Sequence, residues 1–477
     1  MRRAKIVATL GPATASAEAV LELVTAGMDV ARLNLSHGDY ADHVDACQWV
    51  RQASDESGRS VAILVDLQGP KIRLGRFSSG PVELMVGEEF IVTTEECPGD
   101  AHMVSTTFTG LPGDVNPGDM VLVDDGRIEL QVTKIVGPSV HTIVIDGGIV
   151  SNNKGFNLPG VAVSVPALSE KDREDLRWGL RNGADLIALS FVRSSADIHD
   201  VHAIMDEEGV RLPVLAKVEK PQAVDNLEDI IAAFDGVMVA RGDLGVELPL
   251  EMVPLVQKRA IQMCREAGKP VIVATQMLDS MITESRPTRA EVSDVANAVL
   301  DGADALMLSG ETSVGVRPSH VVSTMSTIIE HLEEEALDRI PALQDSPTGS
   351  TARALTHAAV DVANGTGSSH LIAFTETGRS ARLIARWRAR TPLLAFTPNP
   401  RVRSQLSLTW GVETFLVPQV SHTDDMVTQV DKALLDIGRA SAGERVVIVA
   451  GVPPGVPGTT NGMRVHKMGT AGRGGGV

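Results

Sequence analysis

The segment Pro213-Val-Leu-Ala-Lys217-Val-Glu219 reads as a buried strand that ends on an ammonium and a carboxylate spaced two residues apart. Alternate residues of a strand face the same way, so Lys217 and Glu219 share one face. The next apolar run leads into Arg241-Gly242-Asp243, whose carboxylate could join Glu219 on one divalent ion. Two carboxylates, with waters and substrate oxygens completing the shell, suit magnesium or manganese rather than zinc. A lysine beside such an ion supplies what phosphoryl transfer requires, a fixed charge against an anionic transition state. The bland alternative is a Lys–Glu pair that only neutralises itself. Arg32 and Arg73 add positive charge near the same rim, which makes phosphate the implied substrate group. Neither G-x-x-x-x-G-K-[ST] nor G-x-G-x-x-G occurs, so a nucleotide, if used, is held by neither a P-loop nor a dinucleotide turn.

Eight short runs must position these groups: 5–10, 27–36, 61–66, 183–190, 213–218, 236–240, 270–275 and 302–309. Their near-continuous apolar character, without alternation, is that of strands buried on both faces. Helical patterns at 16–26, 39–56, 196–208, 222–233, 250–267, 288–300 and 319–337 follow most of them. The fold class predicted is therefore α/β: a TIM-type (β/α)8 barrel whose strands end in polar residues at the face where such barrels carry their sites. One interruption, rich in turns and short alternating runs, predicts a small inserted β-barrel domain placed to act as a lid. Beyond a polar stretch the alternation resumes as a separate C-terminal α/β domain. The predicted boundaries are 1–69 plus 167–340 for the barrel, 70–166 for the insertion and 345–470 for the last domain. The Gly-rich end from Gly469, and 471–477 above all, is expected to lack fixed structure.

Composition narrows the partners. The 477 residues hold 43 Lys and Arg against 61 Asp and Glu, a formal charge of −18, and only 3% aromatics. Nucleic acid is disfavoured by both numbers. Cys47, Cys97 and Cys264 have no paired spacing, so neither a disulfide framework nor a metal knuckle is suggested. Gly11-Pro12 cuts short the early apolar run, and no run approaches the length of a spanning helix. No membrane association and a cytoplasmic location are the expectations.

Six segments carry a resemblance. They are Ala31-Arg32-Leu-Asn34-Leu-Ser36-His37-Gly38, Asp66-Leu67-Gln68-Gly69-Pro70-Lys71-Ile72-Arg73, Ala216-Lys217-Val-Glu219-Lys220, Ala240-Arg-Gly-Asp243-Leu-Gly-Val-Glu247, Ala274-Thr275-Gln-Met-Leu278 and Ser309-Gly-Glu-Thr312. In this order, with the insertion and the last domain, the chain resembles the pyruvate kinase family over nearly its whole length. The resemblance implies transfer of a phosphoryl group from phosphoenolpyruvate to ADP, giving pyruvate and ATP. It implies Glu219 and Asp243 as magnesium (or manganese) ligands and Lys217 as the group that stabilises the transferring phosphoryl and the forming enolate. It further implies Arg32 on the substrate phosphate, and Gly242 and Thr275 at the substrate carboxylate. Asn34, His37, Arg73 and Lys154 match nucleotide-side positions. Proton delivery to the enolate falls near Thr275, with Ser309 and Glu311 as a water relay.

One departure touches a cofactor. The resemblance implies a potassium position formed by Asn34, Ser36, Asp66 and the carbonyl of Leu67. Potassium-dependent members generally read Asp-Thr-Lys-Gly-Pro-Glu where this chain ends the same stretch in Lys71. An ammonium thus stands where they carry a carboxylate, and the expectation is that Lys71 supplies the charge and potassium is not required. The alternative leaves Lys71 at a domain hinge in solvent. In the last domain Thr375, Thr377, Gly378, Arg379 and Ser380 form a strand-to-helix loop suited to anions, and the resemblance implies a phosphorylated effector there, faced by 451–458. The family also implies a homotetramer. A metal-dependent enolate lyase or aldolase on the same barrel, and a non-catalytic phosphometabolite sensor, are the competing readings.

Overall fold

Eight runs whose residues are almost all buried become eight parallel strands: Lys5–Thr9, Val30–Asn34, Ala62–Asp66, Leu186–Leu189, Val214–Val218, Gly236–Ala240, Val271–Ala274 and Ala305–Leu308. In this computed structural model, which describes residues 2–124, 126–161, 163–343 and 349–471, they pair in chain order and close on themselves. The first strand hydrogen-bonds to both the second and the eighth. Their inward side chains, among them Leu64, Met238, Ile272 and Met307, fill the barrel. The outward ones pack under the helices in a second, larger core. That double burial is why the strands lack polar alternation.

Local chemistry starts the helices where the sequence predicts. Ser16, Asp39 and Thr288 each accept a backbone N–H in the first turn of Ala17–Ala26, Tyr40–Ser57 and Arg289–Asp301. Two departures occur. The stretch read as one helix over 222–233 is two, Pro221–Asp225 and Leu227–Ala233, broken at Asn226, whose side-chain amide donates to the Arg193 carbonyl. Glu170–Arg181, capped by Ser169, is a helix for which the sequence gives almost no apolar signal.

Between the third and fourth strands lies the inserted β unit. Six of its strands form one mostly antiparallel sheet and two more pair separately, Val82–Leu84 with Gly148–Val150. Both enclose one apolar core that includes Phe90, Val104 and Leu130. The unit is rooted where Arg73 bridges Gly155.

The last domain is a five-stranded sheet in the order Val412–Leu416, Leu393–Thr397, His370–Phe374, Arg445–Gly451, Thr460–Lys467, the final strand antiparallel. It seals the bottom of the barrel. Leu408 of this domain is fully buried among the inward-facing barrel residues. Beside it Lys5 Nζ donates to the Val412 carbonyl at 2.8 Å, and the Trp410 N–H to Asp304 at 3.0 Å. With that end closed, the C-terminal strand ends are the open mouth. The chain end is ordered further than the sequence suggests, because Asp431 accepts the N–H groups of Gly469 and Ala471. The remainder of the expected tail, 472–477, lies outside the described residues. Among the described residues no helix is long and apolar enough to cross a membrane.

Leu408 thus joins two domains through one side chain. Leu408→Ala is expected to cost roughly 2–5 kcal/mol, read as a lower urea midpoint for the barrel, with the inserted domain's own transition unmoved.

Candidate active site

Four charges from the second, third and fifth strands of the barrel meet at the mouth. Arg32 Nε lies 2.7 Å from Asp66 Oδ2, and Lys217 Nζ lies 3.2 Å from Asp66 Oδ1 and 2.9 Å from Glu219 Oε1. Lys217 also donates to Ser190 Oγ at 2.7 Å, and Arg32 to Thr9 Oγ1 at 3.0 Å. Asp66 and Glu219 are each only 1% exposed. Burial alone would strip the Lys217 proton, but Asp66 and Glu219 outweigh it and hold the ammonium above the usual lysine range. For Asp66, burial pulls upward and the Lys217 and Arg32 charges win, so its carboxyl stays below the ordinary range.

Glu219 is held by the Phe191 N–H, at 2.8 Å from its Oε2. Burial pushes its carboxyl upward, and the Asp243 charge adds to that push against the Lys217 ammonium. Two oxygen-bearing groups that repel each other at a polar mouth fit a hard divalent cation, which would turn the repulsion into attraction. Asp243 does not sit on a strand. The sixth strand stops at Ala240, and Arg241, Gly242 and Asp243 open the short helix Arg241–Glu247. Among the described residues no group of three or more His, Cys, Asp or Glu is placed to hold a metal alone. A cation here would therefore need further oxygens from solvent or substrate.

Asp243 borders a cleft of about 230 Å3 between the mouth and the insertion, lined also by Lys71, Arg73, Arg193 and Lys220. Gly242 N–H donates to Thr275 Oγ1 at 2.7 Å, while Arg241 grips Asp294 and the Thr275 carbonyl. Glu311 Oε2 accepts the Ser309 N–H at 2.6 Å and its Oε1 the Leu278 N–H, and burial pushes this carboxyl upward. On the opposite rim Asn34 Oδ1 accepts the Ser36 N–H, and the Leu67 carbonyl accepts from Ser190. His37 is held below the usual histidine range by partial burial and by the charges of Lys71, Arg73 and Arg32. Lys71 is solvent-exposed by surface area, yet the protein around it lowers its affinity for a proton while Asp243 and Glu219 raise it. Lys154 pairs with Asp124 at 2.8 Å inside the insertion, and Arg73 donates to the Asn153 carbonyl.

Thr9 and Ser190, polar strand-end residues that the sequence points to, serve here as hydroxyls that hold Arg32 and Lys217. Other positioning groups escape the sequence reading. Phe191 acts through its backbone. Lys220 pairs with Glu247, which also receives Asn157 from the insertion at 3.0 Å. Only the Lys217-Val-Glu219-Lys220 run hinted at the last pair.

The loop predicted to bind an effector borders a second, smaller cleft. Thr375, Thr377, Arg379 and Ser380 line it with Gly451 and 454–458, and Ser380 and Thr460 share a hydrogen bond of 2.6 Å.

Asp66 balances Arg32 and Lys217 from one buried carboxylate, so Asp66→Asn is expected to destabilise the fold by roughly 3 kcal/mol. The sign with pH follows from its lowered native value: the stabilisation is full above the unfolded aspartate range and is lost as pH falls through the native one. Acid titration of the unfolding midpoint checks this, with the Asn variant showing a flatter curve.

Comparison with known proteins agrees with this architecture. The family model described as pyruvate kinase, barrel domain, matches residues 1–322, and that described as pyruvate kinase, alpha/beta domain, matches 353–466. A pyruvate kinase of Mycobacterium intracellulare is 60% identical over 469 residues, covering 98% of this chain and 99% of its own. One from Corynebacterium glutamicum is 58% identical, covering 98% of each. The crystal structure of a pyruvate kinase from Cryptosporidium parvum superposes with a TM-score of 0.90 at 35% identity, over 98% of this chain and 96% of that one. By family model, by sequence and by fold, the chain belongs to the pyruvate kinase family, and so to the phosphotransferases.

Proposed function

We propose that the chain performs the family's reaction, phosphoenolpyruvate plus ADP to pyruvate plus ATP, with Lys217 facing the transferring phosphoryl group. The observation that carries this reading is the buried ammonium of Lys217, fixed by Asp66, Glu219 and Ser190 and held protonated. A charge already oriented in a dry site needs no reorganisation as negative charge builds up on the phosphoryl and enolate oxygens. Arg32, locked by Asp66 and Thr9, takes the substrate phosphate. Gly242 and Thr275 take its carboxylate. Glu219 and Asp243 hold magnesium or manganese, which when bound supplies neutralisation of the phosphoryl oxygens. Glu311, whose buried carboxyl keeps its proton more readily than a free acid, and Ser309 feed a proton toward the Thr275 side of the enolate.

Asn34, His37, Arg73 and Lys154 form the nucleotide side. The positive field that depresses His37 supports that reading, since it also attracts a diphosphate. Lys154 travels with the insertion, so a closing movement carries its charge toward the mouth, a use that an enolate lyase would not have. Lys71 replaces the potassium that would otherwise sit among Asn34, Ser36, Asp66 and the Leu67 carbonyl. Although its side chain is exposed, the charges of Asp243 and Glu219 act on it, which supports a place in the site's charge balance. The cleft at Thr375, Thr377, Gly378, Arg379 and Ser380 takes a phosphorylated metabolite as activator. Exposed Leu250, Leu255, Val314 and Val316 support burial against further copies in a homotetramer. Three free cysteines fit a reducing, cytoplasmic setting.

The assay is pyruvate formation from phosphoenolpyruvate and ADP with magnesium, in sodium and then in potassium buffer. Equal rates in both are expected. Lys217→Ala should lower kcat by about 10²–10³-fold or more, and Lys71→Glu should create a potassium requirement. Strict potassium dependence of the parent chain would discard the role given to Lys71 while leaving the kinase reading intact.

A further inference from the structure

The helix Glu170–Arg181 follows the insertion and carries two acids, Asp172 and Asp175, that are fully buried. Acids are seldom buried so completely unless the fold uses their oxygens. Asp172 Oδ2 closes the helix start, accepting the Ser169 N–H at 2.9 Å and the Ser169 hydroxyl at 2.5 Å. Its Oδ1 makes a bond that capping does not need: it accepts the Gly69 N–H at 2.9 Å, from a turn 103 residues earlier. Lys171, the neighbouring residue, reaches a different loop. Its Nζ donates to the Leu35 carbonyl at 2.8 Å and pairs with Asp175 at 2.5 Å. Asp175 also accepts the Tyr40 hydroxyl at 2.7 Å, at the start of the helix that follows that loop.

Leu35 and Gly69 belong to the two loops that continue the second and third strands at the mouth. The ladder between those strands ends at Asn34 opposite Asp66, with the Leu35 N–H on the Asp66 carbonyl at 3.2 Å. Residues 36–38 and 68–71 therefore need another frame. Successive residues of a helix point about 100° apart, so one turn can brace two loops at once. At Gly69 the brace has little slack, because the Phe191 ring packs directly against that turn. Phe191 gives its N–H to Glu219, and Ser190 joins the Leu67 carbonyl to Lys217. A shift of the 68–71 turn is thus felt at Lys217 and Glu219.

We propose that Lys171 and Asp172 are positioning residues for phosphoryl transfer: Lys171 sets the loop that carries Asn34, Ser36 and His37, and Asp172 sets the turn that carries Leu67 and Lys71. What those loops bind rests on the function proposed above. The bracing itself rests on the contacts of one helix turn with both loops.

The test compares the full chain with Lys171→Met, Lys171→Arg and Asp172→Asn by hydrogen exchange of peptides covering 34–38 and 67–71, by steady-state kinetics and by thermal unfolding. Lys171 is half exposed, so Lys171→Met is expected to fold with an unfolding midpoint close to the parent's. It should speed exchange in 34–38 alone and raise the KM for ADP by about tenfold, with kcat and the KM for phosphoenolpyruvate within about twofold of the parent. Lys171→Arg, which keeps a charged donor of similar reach, should restore both the exchange and the KM. Asp172→Asn puts an amide where the Gly69 N–H needs an acceptor, and should speed exchange in 67–71 and lower kcat by about tenfold or more. If that variant does not fold, the two Lys171 variants decide. Unchanged exchange in 34–38 on Lys171→Met, or a lower unfolding midpoint with no separation of the KM for ADP from kcat, would overturn the proposal. A parent chain that forms no pyruvate would remove the kinase reading instead, and exchange alone would then decide the bracing.

Discussion

A lysine that must stay charged while buried is the constraint from which the rest of the molecule follows. Placing an ammonium inside protein costs several kcal/mol unless carboxylates and hydroxyls surround it. Here Asp66, Glu219 and Ser190 do so, and Asp66 in turn balances Arg32. No single strand can deliver that set. Arg32, Asp66 and Lys217 come from the second, third and fifth strands, and a closed parallel barrel is a scaffold that aims all three at one point. Register sets the detail: Asn34 pairs with Asp66 and Arg32 with Leu64, so Arg32 and Asp66 lie on one face two positions apart along adjacent strands.

Closing the other end gives the mouth its meaning. Leu408 plugs the barrel base, and Lys5, Asp304 and Glu333 tie down the surrounding backbone. A barrel stoppered below opens at the mouth, and a cleft lies there beside the root of the insertion. Asn157 and Glu247, together with Arg193 holding the Val163 and Val165 carbonyls, tether that insertion at the rim without covering it. The charged network is buried and paired within itself, and the cleft beside Asp243 lies between it and the insertion.

Much of this was legible in the sequence because burial on both faces leaves a plain mark. The eight barrel strands and the motifs around Lys217 and Glu219 could be read directly, and the family resemblance followed from them. What escaped depended on partners distant in sequence or on weak patterning. Thr460–Lys467 lies at a sheet edge with only Thr460 and His466 buried, and it contains Asn461 and Gly462, so no apolar run marks it in the sequence. Glu170–Arg181 is a charged helix with few apolar positions, of which Leu176 and Leu180 are buried. The pairing of Lys217 with Asp66 cannot be inferred before the barrel closes, and the role of the Phe191 N–H is invisible to any reading of side chains. Asp243 is legible from its motif, but the helix it helps to open is not, because an apolar run does not announce that its next residue starts a helix.

Backbone strain marks the same places. Six non-glycine residues among those described adopt positive φ, and five of them serve the candidate site. Phe191 offers its N–H to Glu219, and Thr275 offers its hydroxyl oxygen to Gly242. Gln276 follows Thr275 in the turn held by Arg241. Asp124 pairs with Lys154, and the Asn153 carbonyl receives Arg73. Each such residue costs of order 1–3 kcal/mol, which a chain retains only where its surroundings over-determine the geometry. At Gly69 the φ of +74° and the Phe191 ring, 2.4 Å from where a Cβ would stand, show how tightly one such turn is packed. The sixth residue, Arg388, lies in a basic cluster beneath the barrel. Strain is thus confined to the catalytic rim, the hinge side of the insertion and the domain junction. The regular strands and helices between them carry the stability that keeps those positions in place.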